Sequence, residues 1–192
     1  MEEDEVGKLL LRESAPDRRL RIFAALLAKE SGLGTDGMTV VGRSAIEIYT
    51  EGSYLSEDID LVVDSRAQIT TALARWGFRD HGKGWSKQEW GLFVDPMQTP
   101  MSGSRRHTQV VSTPFGPFRI SGIEDLIIRR VRESVAWQNR EEAFAHAVLL
   151  VEFGKSEIDW EYLDHFARRE GWERQLAELR RRAKRSPTSP KA

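Results

Sequence analysis

The feature that most constrains the fold is the stretch 39–63, which has the pattern of a strand, a turn, a short helix and a second strand. The β-branched residues Thr39–Val41 predict a buried strand, and the glycine of Gly42-Arg43-Ser44 indicates a sharp turn at its end. A short helix is expected from Ser44, and a strand over Asp58–Val63. With the helices expected elsewhere, these elements predict an α/β fold: a small mixed β-sheet flanked by helices, with a C-terminal helical segment.

The second strand carries two carboxylates on one face. Because side chains alternate along a strand, Asp58 and Asp60 point the same way, about 7 Å apart. Such carboxylates repel each other and resist burial, and a divalent cation removes both difficulties. The ordinary alternative is a solvent-facing strand edge, where alternating acidic and aliphatic residues are common. Ser44 can offer its hydroxyl and backbone N–H groups to a phosphate and can also form a capping box with Glu47, two roles that are compatible.

The turn and the paired aspartates together resemble a known motif. In the nucleotidyltransferase superfamily that includes DNA polymerase β, the motif is a Gly-Ser turn, a helix and Asp-x-Asp on the next strand. The residues that match its order are Gly42, Ser44, Asp58 and Asp60. Arg43 departs from the pattern, because many members have a second glycine there. The resemblance leaves two expectations for Arg43: its guanidinium reaches a triphosphate, or its bulk keeps phosphates away from the backbone.

The resemblance also implies a third carboxylate, on the strand beside the Asp-x-Asp strand. Asp95 is the candidate, since it ends the strand predicted over Gly91–Asp95, and Pro96 then removes the next ladder donor. In the superfamily, three such carboxylates hold two Mg²⁺ (or Mn²⁺) ions about 3.5–4 Å apart for an in-line displacement. The implied catalytic and metal-binding residues are Asp58, Asp60 and Asp95, and the implied nucleotide-binding residues are Gly42, Arg43, Ser44 and Arg130.

Arg130 belongs to a helix that is expected to follow a β-hairpin. Thr108–Thr113 and Phe118–Ile120 flank a turn that contains glycine and proline, which predicts the hairpin. The helix is expected to begin near Ile123 and to place Arg130 within its apolar stripe, where a buried guanidinium needs a carboxylate partner. The hairpin and the pattern Ile-Glu-Asp-Leu-Ile…Arg resemble small, stand-alone bacterial nucleotidyltransferase-like proteins. That resemblance implies either a structural or a site-supporting role for the arginine.

Other segments have clear local signals. Pro16–Glu30 has apolar residues at helical spacing, and Gly32 is a natural C-cap. Ser65, followed three residues later by glutamine, predicts the start of another helix. Residues 97–107 are expected to form a loop. The expected organisation is a nucleotidyltransferase-like α/β domain over 1–121, a C-terminal helical segment over 122–185 and a disordered tail over 186–192.

The composition is that of an ordinary soluble globular protein. The chain has 192 residues, of which 40% are hydrophobic and 31% are charged, and its net charge is −1. This near-neutral charge gives no argument for bulk attraction to nucleic acid or to a membrane. The absence of cysteine excludes disulfides, thiolate catalysis and cysteine-based zinc sites, and it favours the cytoplasm as the compartment. No apolar run reaches transmembrane length.

Three functions are consistent with these patterns. The first is a nucleotidyltransferase that moves a nucleoside monophosphate from a nucleoside triphosphate to a hydroxyl group of an RNA, a protein or a small molecule. The second is a catalytically inactive binding module of the same fold, or half of a toxin–antitoxin pair with a cognate protein partner. The third is a glycosyltransferase that uses Asp-x-Asp to bind a metal–nucleotide-sugar complex. Such enzymes usually place the motif after a larger nucleotide-binding region than the 57 residues available here.

Overall fold

The structure is a computed structural model that describes residues 1–97, 107–136, 140–154 and 157–185. Backbone contacts group the chain into two compact units, Met1–Ser121 and Gly122–Ala192. The predicted tail over 186–192 and most of the loop predicted over 97–107 lie outside the described residues.

The first unit contains five α-helices, one short 3₁₀ helix (Gln88–Trp90) and seven strands in its described part. Its helices are α1 (Glu3–Arg12), α2 (Pro16–Glu30), α3 (Gly34–Gly37), α4 (Gly42–Tyr49) and α5 (Arg66–Arg75). Its strands are β1 (Met38–Val40), β2 (Ile59–Val63), β3 (Arg79–Asp80), β4 (Trp85–Lys87), β5 (Leu92–Met97), β6 (Thr108–Thr113) and β7 (Gly116–Ser121).

The described strands of this unit form one mixed sheet. Their order is β3-β4-β5-β2-β1-β7-β6. β1 is antiparallel to β2 and parallel to β7, and β2 is parallel to β5. The outer pairs are antiparallel, and β6 and β7 form the predicted hairpin. The predicted α/β class, with a mixed sheet flanked by helices, is confirmed.

Strand β2 alternates between buried and partly exposed side chains. Ile59, Leu61 and Val63 are buried, whereas Asp60 is partly exposed. Burial of one apolar face sets this register, because a shift by one residue would exchange the two faces. The strand begins at Ile59, one residue later than the sequence predicts, so Asp58 directly precedes it.

Several helix ends show the expected local chemistry. α2 has the predicted limits, and Gly32 just beyond it has a φ of +73°, as expected of a glycine that ends a helix. The side chain of Ser65 accepts the N–H three residues later and caps α5. The capping box predicted at Ser44 is wrong, because α4 already begins at Gly42 and its N-cap is Val41.

An aromatic cluster packs in the core of the first unit. Neighbouring rings have centroids between 5.6 and 6.4 Å apart in tilted or edge-on arrangements, an ordinary separation for aromatic pairs. The rings belong to Phe23, Trp76, Phe78 and Trp90. Since these residues come from α2, the end of α5, and the segments beside β3 and β4, the cluster ties helices to one end of the sheet.

The second unit is helical in its described part, as predicted. Its helices are α6 (Ile123–Ala136), α7 (Arg140–Gly154), α8 (Trp160–Glu170) and α9 (Glu173–Arg185). Asp159 caps α8 by accepting the N–H of Tyr162 over 3.0 Å. Among the described helices of the whole chain, none combines the length and the apolar character needed to cross a lipid bilayer.

Candidate functional site

Asp60 and Asp95 lie side by side on neighbouring parallel strands. The register of β2 and β5 aligns Ile59 with Val94 and Asp60 with Asp95. Aligned side chains project from the same face, and the strands lie about 4.8 Å apart. Both aspartates are partly exposed, whereas Ile59 and Val94 are buried. The sheet therefore brings together two carboxylates that are distant in the sequence.

The turn after β1 packs against the carboxylate of Asp60. Because β1 and β2 are antiparallel, the chain that leaves β1 lies beside the start of β2. The backbone N–H of Arg43 donates to Oδ2 of Asp60 over 2.9 Å. Gly42 has a φ of +61°, and an added Cβ would lie 2.6 Å from Cγ of Asp60. The first turn of α4, where the sequence predicts a phosphate, thus already binds a carboxylate of the chain itself.

Ser44 is fully buried, and its hydroxyl links the two strands. The hydroxyl donates to the carbonyl oxygen of Val41 over 2.9 Å and accepts the N–H of Asp60 over 3.1 Å. Its side chain has an exposed fraction of 0%. Contrary to the expectation from the sequence, this hydroxyl is out of reach of a phosphate, because its hydrogen bonds are made inside the fold.

Asp58 forms an ion pair with Arg43. One guanidinium nitrogen of Arg43 lies 3.2 and 3.4 Å from the two carboxylate oxygens of Asp58. Burial by itself would lower the pKa of Arg43, but attraction to Asp58, together with Tyr54 and Asp60, outweighs it and raises that pKa. Neither expectation for Arg43 described this contact: the side chain reaches a carboxylate of the chain itself.

Two residues that sequence reasoning missed hold Asp58 in place. Oγ of Ser56 donates to the carbonyl oxygen of Asp58 over 2.6 Å and lies 3.3 Å from its Oδ1. The N–H of Ser56 donates to the buried carboxylate of Glu47 over 2.7 Å. Burial raises the pKa of Glu47, and Asp17 adds to the effect while the Ser56 N–H opposes it. A serine two residues before an aspartate is a local signal for the first contact, but no local signal marks Glu47.

Arg130 is buried in the second unit and is paired there. Its Nη1 lies 2.8 Å from Oε2 of Glu133, three residues further along α6. This contact confirms the expectation that a buried guanidinium needs a carboxylate partner. The pair lies within α6 itself, and the choice between a structural and a site-supporting role for Arg130 stays a prediction.

The three predicted aspartates do not form a ready-made metal-binding group. Within the described parts of the chain, no cluster of three or more acidic residues or histidines has the geometry to hold a metal ion. The guanidinium of Arg43 pairs with Asp58, and the backbone N–H of Arg43 donates to Asp60, which lies beside Asp95 in the sheet. One or two protein carboxylates are enough for Mg²⁺ when substrate phosphates and water complete its shell. Among the described residues, the adjacent pair Asp60 and Asp95 is thus of the kind that Mg²⁺ uses together with substrate phosphates, whereas no group of three carboxylates is arranged to hold a pair of ions.

Comparison with known proteins assigns no family to this chain. It was compared with models of protein families, with curated proteins and with solved structures. None matched. The function is therefore argued from the geometry of the site, and the nucleotidyltransferase resemblance stays a prediction that depends on its motif.

Proposed function

We propose that this protein is a magnesium-dependent nucleotidyltransferase. It would move a nucleoside monophosphate from a nucleoside triphosphate to a hydroxyl group of an RNA, a protein or a small molecule in the cytoplasm. The proposal is supported above all by the register of Asp60 with Asp95, which gives neighbouring carboxylates on a partly exposed sheet face. Beside them, the turn at Gly42 carries the guanidinium of Arg43. Paired carboxylates and a cation suit the binding of a magnesium-bound phosphate chain.

Each of these side chains has its own part in the proposed reaction. Asp60 and Asp95 would hold Mg²⁺, which when bound neutralises phosphate charge and stabilises the departing pyrophosphate. Arg43, whose guanidinium is always cationic, binds a nonbridging phosphate oxygen. The acceptor hydroxyl attacks the α-phosphorus, the bond from that phosphorus to the β-phosphate oxygen breaks, and Asp95 accepts the hydroxyl proton.

Transfer of a labelled nucleotide tests this proposal. The protein is incubated with each of the four α-labelled ribonucleoside triphosphates, Mg²⁺ and a cell extract, and labelled products are separated by electrophoresis and thin-layer chromatography. The wild type is expected to transfer label. Asp60→Asn and Asp95→Asn are expected to lower the rate at least about a hundredfold, because each removes a carboxylate while keeping the side-chain volume.

A matched control separates the site from general loss of negative charge. Asp4→Asn changes an exposed aspartate in the first turn of α1 and is expected to leave transfer unchanged. Equal labelling by the wild type and both site variants would reject the proposed site. Absence of labelling by the wild type with all four triphosphates would reject the activity.

A non-catalytic nucleotide-binding module of the same fold is a second candidate, and the contact between Arg43 and Asp58 favours it. This ion pair engages one of the three carboxylates that the resemblance assigns to metal, and burial of Ser44 removes a phosphate contact. Such a module would serve through a cognate protein partner, as in a toxin–antitoxin pair. Calorimetry with the magnesium complex of ATP distinguishes the two: binding without transfer supports the module, and absence of binding contradicts both.

A further inference from the structure

We infer that Asp58 is not a metal ligand in this protein but the positioning residue of Arg43, whose guanidinium takes the place of a second cation. The inference rests on the proposed function, because it concerns the same site, and it makes that site one for a single divalent ion. Its basis is the ion pair that the antiparallel pairing of β1 and β2 creates at the edge of the site.

The backbone and the side chain of Arg43 are held by different aspartates. Its N–H is bound to Oδ2 of Asp60 over 2.9 Å, and its guanidinium lies 3.2 Å from Oδ1 of Asp58. The residue is thereby fixed at both ends. A metal ion at Asp58 would have to displace the guanidinium of Arg43, while Asp60 still binds the backbone N–H of the same arginine.

Asp58 has a second support besides Arg43. Ser56 contacts both the carbonyl oxygen and Oδ1 of Asp58, and Glu47 in turn accepts the N–H of Ser56. The side chain of Asp58 is 24% exposed, while that of Arg43 is 40% exposed. The more enclosed carboxylate therefore orients the more open guanidinium, which is the relation expected between a positioning residue and a phosphate-binding residue.

Charge compensation agrees with a single ion. When ionised, Asp58, Asp60 and Asp95 carry three negative charges, and Arg43 offsets one of them. The two charges that remain are neutralised by one divalent cation. In a site of this kind, Arg43 does for Asp58 what a second metal ion would otherwise do.

Manganese binding followed by electron paramagnetic resonance tests the inference without any turnover. Mn²⁺ alone is titrated into the full chain, and the free ion is measured from its signal. The forms compared are the wild type, Asp58→Asn, Arg43→Gln and the double variant. Because Asp58→Asn removes the charge that offsets Arg43 but removes no metal ligand, we expect the number of bound ions to stay the same and the affinity to fall by no more than about fivefold, the effect of one partly exposed charge pair. Arg43→Gln is expected to release Asp58 and to raise the affinity at least about tenfold or add a second ion, and Asp58→Asn should abolish that gain.

Two further variants show that the effect is local and depends on charge. Arg129→Gln removes an arginine that is likewise paired with a carboxylate, that of Glu133, and it is expected to leave Mn²⁺ binding unchanged. Arg43→Lys keeps the positive charge and is expected to behave like the wild type. Circular dichroism monitors folding, and Arg43→Met replaces Arg43→Gln if the glutamine variant does not fold.

Three results would overturn the inference. The first is a tenfold loss of Mn²⁺ affinity in Asp58→Asn. The second is Mn²⁺ binding by Arg43→Gln that equals that of the wild type. The third is Mn²⁺ binding by Arg43→Lys that equals that of Arg43→Gln. Failure of the proposed function is a separate result. Nucleotide transfer can be absent while Asp58 proves not to be a ligand of Mn²⁺, and transfer can occur while Asp58 proves to be a ligand.

Discussion

At the scale of the single residue, two separate physical effects disfavour any side chain at position 42, which is occupied by glycine. Its φ of +61° lies in the left-handed region, which strains any residue with a side chain. An added Cβ would also lie 2.6 Å from Cγ of Asp60. Gly91 has the same φ of +61°, but nothing lies within 4 Å of its hypothetical Cβ. Substitutions at these two positions therefore distinguish the effect of backbone strain, which both share, from the effect of the contact with Asp60, which only Gly42 has.

Alanine substitutions at these two positions should differ in cost. Gly91→Ala is expected to lower the free energy of unfolding by about 1–3 kcal/mol through backbone strain alone. Gly42→Ala should cost at least about 1 kcal/mol more, because Asp60 has to move away from the new methyl group. Urea denaturation of both variants measures the difference. Equal costs would show that contact with Asp60 is not what requires glycine at position 42.

The buried carboxylate of Glu47 should make stability depend on pH. Burial raises its pKa above the ordinary value of 4.5, so the charged form is less favourable in the folded than in the unfolded protein. The effect is absent below the pKa that Glu47 has in the unfolded protein. As the pH rises from there through the raised pKa of Glu47 in the folded protein, the free energy of unfolding decreases. Glu47→Gln removes the titration and keeps an oxygen that can accept the N–H of Ser56. We expect the stability of the variant relative to the wild type to increase as the pH rises from the pKa of Glu47 in the unfolded protein to its raised pKa in the folded protein.

Denaturant unfolding at several pH values checks this expectation. The comparison uses the pH dependence of the difference between the two proteins, because a buried amide adds a cost that does not vary with pH. A difference that stays constant, or that decreases as the pH rises, would contradict the assigned burial effect at Glu47.

At the scale of the element, a buried lysine holds helix α1 against the rest of the first unit. The ammonium group of Lys87 pairs with Glu3 of α1 and donates to the carbonyl oxygen of Trp76 over 2.7 Å. It also lies 4.5 Å from the centre of the Trp90 ring. The same ring packs against Gly7, where an added Cβ would lie 2.8 Å from the indole nitrogen. One end of α1 is thus fixed by a charge and its middle by close packing.

Removing this charge should loosen α1 before the rest of the unit. Lys87→Met keeps an unbranched stem but leaves the buried carbonyl of Trp76 without its donor, so we expect a loss of about 1–3 kcal/mol in the free energy of unfolding. Hydrogen exchange should accelerate more in α1 than in α2. Lys83→Met, at an exposed position, is the matched control and should change neither quantity. Uniform acceleration across both helices would contradict a specific role of Lys87 in holding α1.

At the scale of the whole molecule, the order of the strands builds the candidate site. β2 lies between β1 and β5, so one strand meets the Gly42 turn on one side and Asp95 on the other. Both pairings belong to the unit Met1–Ser121, and the helical unit follows from Gly122. The site thus depends on long-range strand pairing and does not exist in any single local segment.

Local patterns were sufficient to predict much of the fold. The helix over Pro16–Glu30 follows from apolar spacing, and the hairpin of Thr108–Thr113 with the next strand follows from its turn residues, because neighbours in the sequence determine both. The neighbouring carboxylate strands were also foreseen, from a motif and its resemblance. In each case the information lies within a few residues or in a recognised spacing.

Only the tertiary structure decided what each residue of the turn contacts. Ser44 has the same local signature whether its hydroxyl faces a phosphate or joins two strands, and antiparallel pairing buries it. Arg43 has a long side chain that can reach several partners, and the position of Asp58 just before β2 selects one of them. The sequence by itself determined which elements form and which side chains carry charge. Long-range strand pairing determined which of those charges meet, because a shift of one residue in the register moves every side chain of a strand to the other face of the sheet.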